Sequence, residues 1–289
     1  MSKKFGIDIS VHQRNMDLMK AKAEGVEFAI LRAGYTGYGS GITRCKDTAF
    51  ESLYGKCKYL SIPVGAYWYS CATDYKKGKA EAEFMYEYCL KGKQFEYPIY
   101  IDVEDSHHQQ KAGKKKVTEA IKGFCEYLEA KGFYVGIYAN LNWFNNYIDT
   151  PALSMYDKWV ACWDKERPEK PSGGMWQFGG ETNLIRTNKI AGLTCDQDYS
   201  FYDYPSIMKE KGLNGFGKTC EKVNKEPETK EIKYKVKLGD TLSSIANKYN
   251  TSYQKIYQDN KVIIDNENKK RGVSISKMWI YPNQILVIK

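Results

Sequence analysis

The chain lacks any long hydrophobic run. None of its stretches approaches the roughly eighteen to twenty consecutive apolar residues that a membrane-spanning helix needs, so no membrane insertion is predicted. The amino terminus, MSKKFGIDIS, carries two lysines but no apolar segment behind them. A secretory signal peptide is therefore not predicted, and the chain is expected to stay in the cytoplasm in which it is made until another route releases it.

Histidines are few, and no cysteines are paired in sequence. His12, His107 and His108 have no partner at the spacing of metal ligands, so neither a metal nor another cofactor is predicted. The cysteines, which form no C-x-x-C pair, are Cys45, Cys57, Cys71, Cys89, Cys125, Cys162, Cys195 and Cys220. This scatter is typical of small buried apolar residues in a reduced protein rather than of a disulfide framework.

The positive charge is unevenly distributed along the chain. The formal net charge is +9, and residues 232–289 contain eleven Lys and Arg against four Asp and Glu, a net of +7. The polar segment that begins at Thr219 has almost nothing to bury, as expected for a solvated linker. We therefore predict a first domain over 1–216, a linker over 217–231 and a second domain over 232–289.

Strand-like runs alternate with helical periodicity through the first domain. The runs are FGIDI, VEFAILRAGY, IPVGAYWYS, YPIYIDVE, FYVGIYAN, KWVACW, GMWQFG and AGLTCDQDYS. Such alternation is typical of an α/β protein whose parallel sheet closes into a barrel, here with helices becoming scarce after the fifth strand. An open, doubly wound sheet is the alternative.

Acidic residues stand at the ends of several predicted strands. Asp102 and Glu104 are two positions apart in the fourth strand, so they are expected to point to the same side. Asp8 ends the first strand and Asp196 is predicted to end the last, and these strands are neighbours in a closed barrel. We therefore predict that four carboxylates meet at the mouth where barrel enzymes have their active sites. Crowding raises the pKa of at least one of them, which suits a general acid. A single strand-end acid often caps a helix, but three strand ends are harder to explain in that way.

Aromatic residues also fall at or near strand ends. Tyr67, Tyr138, Trp163 and Trp176 are candidates for lining the mouth, where their faces would suit the apolar faces of sugar rings. The alternative for each is ordinary packing in the core.

Several motifs in the first domain resemble those of the glycoside hydrolase family 25 lysozymes, the Chalaropsis-type N-acetylmuramidases. They are G-I-D-I-S at 6–10, F-A-I-L-R-A-G at 28–34, G-A-Y-W-Y at 65–69, I-D-V-E at 101–104, G-I-Y at 136–138, W-V-A at 159–161, W-Q-F at 176–178 and C-D-Q-D at 195–198. The resemblance implies a TIM-like barrel of five β/α units followed by three strands. By position, it makes Glu104 the acid, Asp102 the assisting aspartate, and Asp8 and Asp196 the supporting ones. Asp198 stands where the family often has Asn, which leaves open whether it or Asp196 points inward.

The basic second domain resembles a LysM module, a small α+β unit with βααβ order that binds glycans containing N-acetylglucosamine. The resemblance rests on YKVKLGDTLSSIANKYNTSYQKIYQDN from Tyr234 and IYPNQILVI from Ile280. It implies glycan contacts at Gly239, Asp240, Thr241 and Ile280. Asp240 or Thr241 is expected to cap the first helix. Asn283 replaces the usual glycine, because Asn also tolerates a left-handed backbone, and the segment 261–279 is longer than usual.

These resemblances imply a two-domain enzyme that cleaves the β-1,4 bond from N-acetylmuramic acid to N-acetylglucosamine in peptidoglycan. The expected partner is the glycan of a Gram-positive cell wall, reached after release from a host cytoplasm, as for a phage endolysin. The alternatives are a bacterial autolysin exported by another route, a chitin-directed hydrolase and a wall-binding protein without activity. Nucleic acid is not predicted as a partner, because anionic wall polymers explain the basic tail equally well. The sequence leaves the oligomeric state open.

Overall fold

The described part of the chain divides into two units. The structure is a computed structural model that describes residues 3–37, 43–217, 232–249, 251–274 and 277–288. One unit spans Met1–Thr219 and the other Cys220–Lys289. The division falls within the predicted linker at 217–231, of which residues 218–231 lie outside the described residues.

The larger unit is built around a closed ring of eight strands. Its strands are β1 (Lys4–Ile9), β2 (Phe28–Thr36), β3 (Arg44–Lys46), β4 (Val64–Tyr69), β5 (Ile99–Asp102), β6 (Val135–Asn140), β7 (Asp157–Ala161), β8 (Met175–Gly179), β9 (Lys189–Ile190), β10 (Leu193–Thr194) and β11 (Asp196–Ser200). The ring order is β1, β2, β4, β5, β6, β7, β8 and β11, and it closes because β1 pairs with both β2 and β11. The first seven of these strands are parallel, whereas β11 is antiparallel to both of its neighbours. Outside the ring, β3 pairs with β2, and β9 forms a hairpin with β10.

Helices follow the first five strands of the ring. They are α1 (Leu18–Ala23), α2 (Phe50–Tyr59), α3 (Tyr75–Met85, continued by a π-helical turn at Tyr86–Leu90), α4 (Gln109–Ala112), α5 (Lys114–Ala130) and α6 (Leu141–Asn146), with α7 (Tyr204–Lys211) after β11. Short 3₁₀ turns lie at Val11–Gln13 and Pro151–Leu153. The predicted barrel of five β/α units followed by three strands is confirmed. Among the described residues, no helix is both long and apolar enough to cross a membrane.

The side chains of the ring alternate between two buried layers. In β5, Ile99 and Ile101 point outward into the apolar cluster that the helices cover. Tyr100, between them, points inward into a second cluster inside the barrel. Both faces of a parallel barrel strand are buried, which explains why the sequence of β5 is apolar almost throughout. The same alternation directs Asp102, two residues after Tyr100, toward the interior.

Aromatic rings fill the interior just below the strand ends, and glycines make room for them. A Cβ added to Gly6 would lie 2.4 Å from the ring of Phe28. A Cβ added to Gly136 would lie 2.4 Å from the ring of Tyr100. Both rings are fully buried. This closely packed aromatic layer forms the floor on which the polar residues at the strand ends, such as Asp8 and Asp102, lie.

The smaller unit contains two paired strands and three helices in its described residues. They are β12 (Ile232–Lys235), α8 (Leu242–Lys248), α9 (Tyr253–Asp259), α10 (Lys261–Lys270) and β13 (Ile285–Ile288), with β12 antiparallel to β13. Ile245 and Leu286 belong to its apolar cluster. The predicted βααβ order is present, and α10 is an addition that occupies part of the long segment 261–279. Asn283 has a φ of 73°, as predicted for the residue that replaces glycine.

Replacing Gly136 by Ala should destabilise the larger unit. The added methyl group would overlap the buried ring of Tyr100, so we expect the free energy of unfolding to fall by about 1 to 3 kcal/mol. Urea denaturation measures this change. Gly55→Ala is the matched control, because Gly55 lies in α2 with nothing within 4 Å of an added Cβ. That substitution should be neutral or stabilise by up to about 1 kcal/mol, and an equal loss in both variants would contradict the packing argument.

Candidate active site

Acidic side chains from three strands lie at one end of the barrel. Asp102 is the last residue of β5, Glu104 follows two residues later, and Asp8 of β1 pairs with Asp196. The prediction that Asp196 ends the last strand is wrong, because Asp196 begins β11, which is antiparallel to β1. Since β11 runs in the opposite direction, its first residue lies at the same end of the barrel as the last residues of its neighbours. The predicted convergence is therefore present, although the strand direction behind it differs.

Burial and neighbouring carboxylates raise the pKa of both acids at the end of β5. Asp102 is 4% exposed, and among the described residues its Oδ1 has no hydrogen-bond partner. Burial raises the pKa of Asp102 well above its usual value, Glu104 raises it further, and Arg32 opposes the shift. Burial also raises the pKa of Glu104, with a contribution from Asp196. The pair therefore holds a proton to higher pH than ordinary carboxylates do, as a general acid requires.

Asp196 and Asp198 both point into the barrel, at different depths. They are two residues apart in β11, so they lie on the same face of the strand. Asp196 is partly exposed, and burial raises its pKa to about 6, with a contribution from Glu181. Asp198 is fully buried, and Nε1 of Trp159 donates a hydrogen bond of 2.7 Å to its Oδ1. Both aspartates therefore face inward, and Asp196 lies nearer the rim.

Gln177 of β8 links Asp8 to two of the predicted aromatic residues. Its Nε2 donates to Oδ2 of Asp8 at 2.9 Å. Its Oε1 accepts hydrogen bonds of 3.1 Å from the Tyr138 hydroxyl and from Nε1 of Trp163. The sequence prediction missed Gln177, although alternation along W-Q-F places it on the opposite face from Trp176. Only one of these two residues can face the mouth, and it is the glutamine.

Three of the four predicted aromatic residues lie at the mouth. Burial raises the pKa of Tyr67 well above its usual value, and nearby carboxylates add to the shift. Tyr138 is 9% exposed, whereas Trp163 is 41% exposed and is the ring most available for stacking. Trp176 is not at the mouth: it is 3% exposed, packs in the outer layer, and donates its indole N–H to a backbone carbonyl at 2.8 Å. The core-packing alternative therefore applies to Trp176.

A cleft of about 270 Å³ lies beside the acids, at the ends of β1, β2 and β4. Its lining residues are Val11, His12, Arg32, Tyr35, Lys46, Asp47, Thr48 and Tyr69. Nε of Arg32 donates to Oδ2 of Asp47 at 2.8 Å, which holds the guanidinium group in place. Its charge favours the ionised form of Asp102. The sequence prediction missed Arg32. The residues around Arg32 do not show that only β4 separates β2 from β5, which brings Arg32 near Asp102.

A group of metal-type ligands lies close to the mouth in the part of the chain that the structure describes. Ligand atoms of Cys71, Asp105 and His108 lie within 4.8 Å of one another. Asp105 accepts hydrogen bonds from backbone N–H groups at the start of α4, and Sγ of Cys71 donates to the carbonyl of Thr36. Burial raises the pKa of Cys71 to about 12, so its thiol stays protonated. Hydrogen bonds within the protein therefore hold Asp105 and Cys71 in this group.

The smaller unit has a surface cleft of its own, of about 330 Å³. Its lining residues are Asp240, Thr241, Leu242, Ser243, Tyr253, Lys277, Met278, Trp279 and Ile280. Trp279 is 53% exposed and Tyr253 is 42% exposed, so two aromatic rings border a cleft that both polar and apolar side chains line. The sequence prediction did not include either ring, because exposed aromatic residues and core residues look alike in a short basic segment.

Three of the four predicted glycan contacts line this cleft, namely Asp240, Thr241 and Ile280. The fourth, Gly239, supplies the turn before α8 through its φ of +88°. Thr241 caps α8, since its Oγ1 accepts the backbone N–H of Ser244 at 3.0 Å. The turn and the cap therefore present these side chains at one edge of the unit.

Paired carboxylates beside exposed aromatic faces at a barrel mouth are the arrangement of a glycoside hydrolase. The family model for glycosyl hydrolases family 25 matches residues 7–185, and the LysM domain model matches residues 234–289. The chain therefore belongs to glycosyl hydrolases family 25 and has a LysM domain after its barrel. Both resemblances stated from the sequence are confirmed.

Several solved structures share the barrel fold. The CTP1L endolysin has 22% identity and a TM-score of 0.57, with 72% of this chain and 69% of that chain covered. The modular autolysin LytC from Streptococcus pneumoniae has 24% identity and a TM-score of 0.57, with 68% of this chain but only 46% of that chain covered. The bacterial lysozyme from Streptomyces coelicolor has 20% identity and a TM-score of 0.58, with 75% of this chain and all of that chain covered. The comparison with curated protein sequences gives no match.

Proposed function

We propose that the chain is an N-acetylmuramidase that hydrolyses the β-1,4 bond between N-acetylmuramic acid and N-acetylglucosamine in peptidoglycan. The observation that carries this proposal is the acid pair at the end of β5. Glu104 has a raised pKa and is partly exposed, whereas Asp102 is buried and leaves Oδ1 without a hydrogen-bond partner among the described residues. One group is suited to give a proton to the leaving oxygen, and the other is suited to accept a hydrogen bond from the substrate.

The roles of the two acids follow from their surroundings. Asp102 accepts the N–H of the acetamido group through its free Oδ1, and this hydrogen bond together with Arg32 favours its ionised form. The proton of the pair then resides on Glu104, which protonates the leaving oxygen and afterwards activates water. Asp196 adds negative charge that helps to keep this proton bound.

The stereochemistry depends on the nucleophile. Same-face neighbours on a strand lie roughly 6.5 to 7 Å apart at the backbone, which by itself is closer to the carboxylate separation of inverting enzymes. The acetamido carbonyl of muramic acid offers a second route, because its oxygen attacks the anomeric carbon while Asp102 orients and polarises the amide. Substrate assistance of this kind is a known exception to the two-carboxylate rule. We propose this route, and with it retention of the β configuration.

The LysM domain is proposed to hold the barrel on its substrate. Its net charge of +7 suits the anionic polymers of a Gram-positive wall, and Trp279 and Tyr253 offer faces for N-acetylglucosamine. Tethering raises the effective concentration of glycan strands near the barrel without a new contact in the active site. The reaction is the same for an endolysin and an autolysin, and in both settings the protein acts at the cell wall.

Glu104→Gln should abolish most of the hydrolytic rate. The amide keeps the shape of the side chain but has no proton to transfer, so we expect a loss of about 10² to 10⁴-fold in the release of reducing ends from purified Gram-positive walls. Binding to the walls, measured by cosedimentation, should not change. Glu83→Gln is the matched control on the exposed face of α3 and should keep full activity. Near-normal lysis by Glu104→Gln, or faster cleavage of chitin than of peptidoglycan by the unmodified protein, would refute the proposal.

The first product should be the β-anomer, and Asp102→Asn should impair turnover less than Glu104→Gln. An amide at position 102 still orients the acetamido group, although it stabilises the developing positive charge poorly. Proton NMR of the newly formed reducing end identifies the anomer before mutarotation. An initial α-anomer, or a covalent adduct on Asp102, would rule out substrate assistance.

Trp279→Ala should weaken wall binding without changing the chemistry. Loss of one stacking ring corresponds to about 0.5 to 1.5 kcal/mol, or roughly a two- to tenfold rise in Kd for chitooligosaccharides. Activity on short soluble glycan fragments should stay the same, while clearing of intact walls slows. Val262→Ala changes an exposed apolar residue of α10 that does not line the cleft and serves as the control. Equal binding by both variants would show that this cleft does not hold the glycan.

A further inference from the structure

Two buried carboxyl groups are neighbours on the inner face of the ring, at the floor of the mouth. In the sheet, Gly6 of β1 pairs with Asp198 and Asp8 pairs with Asp196, so Asp8 and Asp198 are diagonal neighbours on the inner face. Asp8 is 6% exposed and Asp198 is fully buried. The carboxyl groups are close enough for each to shift the pKa of the other, and Oδ2 of Asp198 is buried without a hydrogen-bond partner among the described residues. A hydrogen bond between two carboxyl groups requires a proton on one of them.

The surrounding donors are too few to neutralise both groups. Gln177 donates to Oδ2 of Asp8, and Trp159 donates to Oδ1 of Asp198. Among the described residues, Oδ2 of Asp198 has no N–H or hydroxyl donor, and neither aspartate takes part in an ion pair. Two ionised carboxylates at this separation would repel each other strongly in a buried site. A proton between them removes the repulsion and satisfies the oxygen that otherwise has no partner.

We propose that Asp8 and Asp198 share one proton, with Asp8 as the donor and Asp198 as a positioning residue that fixes the hydrogen-bond network of the mouth. The positioning role rests on the proposed function, whereas the sharing of the proton does not. Each carboxyl group accepts one hydrogen bond, and the bond from Trp159 to Asp198, at 2.7 Å, is shorter than the bond from Gln177 to Asp8, at 2.9 Å. The charge is therefore assigned to Asp198 and the proton to Asp8.

The network explains how a residue without access to the substrate acts on the site. Because Nε2 of Gln177 is held by Asp8, its Oε1 faces Tyr138 and Trp163 and accepts a hydrogen bond from each. Trp163 is the exposed ring at the rim. The order of contacts from the barrel interior to the substrate side is therefore Trp159, Asp198, Asp8, Gln177 and then Tyr138 with Trp163.

Several other titratable groups face this pair from the elements packed around it. They are Asp196 of β11, Cys195 just before it, Tyr67 from β4, Tyr100 from β5 and Tyr138 from β6. The charges of Asp102, Glu104 and Arg32 act on Tyr67 or Tyr138. Asp196 is the neighbour whose charge acts most strongly on Asp8. A negative charge moved from Asp198 to Asp8 would therefore be felt first by Asp196.

Asp198→Asn tests the sharing of the proton. An Asn side chain at 198 accepts from Trp159 and donates to Asp8, so Asp8 no longer needs a proton. Infrared spectra of the full chain at pH 7 in D₂O should show the loss of one protonated carboxyl group in Asp198→Asn, and likewise in Asp8→Asn. Asp17→Asn, an exposed residue at the start of α1, should lose none. Retention of the band in either Asp8→Asn or Asp198→Asn would overturn the shared proton.

The pH profile of wall lysis tests the positioning role. In Asp198→Asn the negative charge lies on Asp8, which makes ionisation of Asp196 less favourable, so the acidic limb of the profile should move to higher pH. A change that only loosened the fold would lower the whole profile without moving the limb, and Asp17→Asn should leave it in place. Loss of the infrared band with an unmoved limb would overturn the positioning role. If the unmodified protein failed to lyse walls, the proposed function would fall while the infrared result still decided whether the proton is shared.

Discussion

The pairing of β1 with β11 is the contact on which the rest of the active site depends. It closes the ring of strands, and it sets Asp8 directly opposite Asp196. Because β11 is antiparallel to its neighbours, its inward acids come in the order Asp196 at the rim and Asp198 below it. A ring closed by a parallel strand would place the first residue of that strand at the far end of the barrel, away from Glu104. The direction of one short strand therefore decides whether the acids meet.

Closure of the ring brings several carboxyl groups together, and among the described residues none of them forms an ion pair with a Lys or Arg side chain. Rings such as Tyr100 and Phe28 are fully buried in the layer below the acids. The consequence is a set of raised pKa values, from Asp102 at β5 to Asp196 at β11, which burial causes and neighbouring charges increase. Such a site is costly for stability, but it keeps protons available for chemistry on a glycosidic bond.

Local patterns were enough to predict much of this site. The two-residue period of the run that contains β5 predicts Asp102 and Glu104 on one side and the apolar residues Ile99 and Ile101 on the other. The same rule, applied to W-Q-F, would have selected Gln177 instead of Trp176. In the LysM domain, Asn283 has the left-handed φ that its turn requires. The presence of Asn at a position where glycine is usual was enough to predict this backbone conformation.

The sequence by itself determined which side chains face inward, where helices follow strands, and that two domains with different charge are joined, because alternation, periodicity and composition are properties of neighbouring residues. Only the tertiary structure decided the direction of β11, the inward position of Asp198 beside Asp8, and the nearness of Arg32 to Asp102. These features depend on hydrogen bonds and charges between strands that are distant in the chain. No local pattern records which distant strand supplies the partner, because that choice is made when the ring closes.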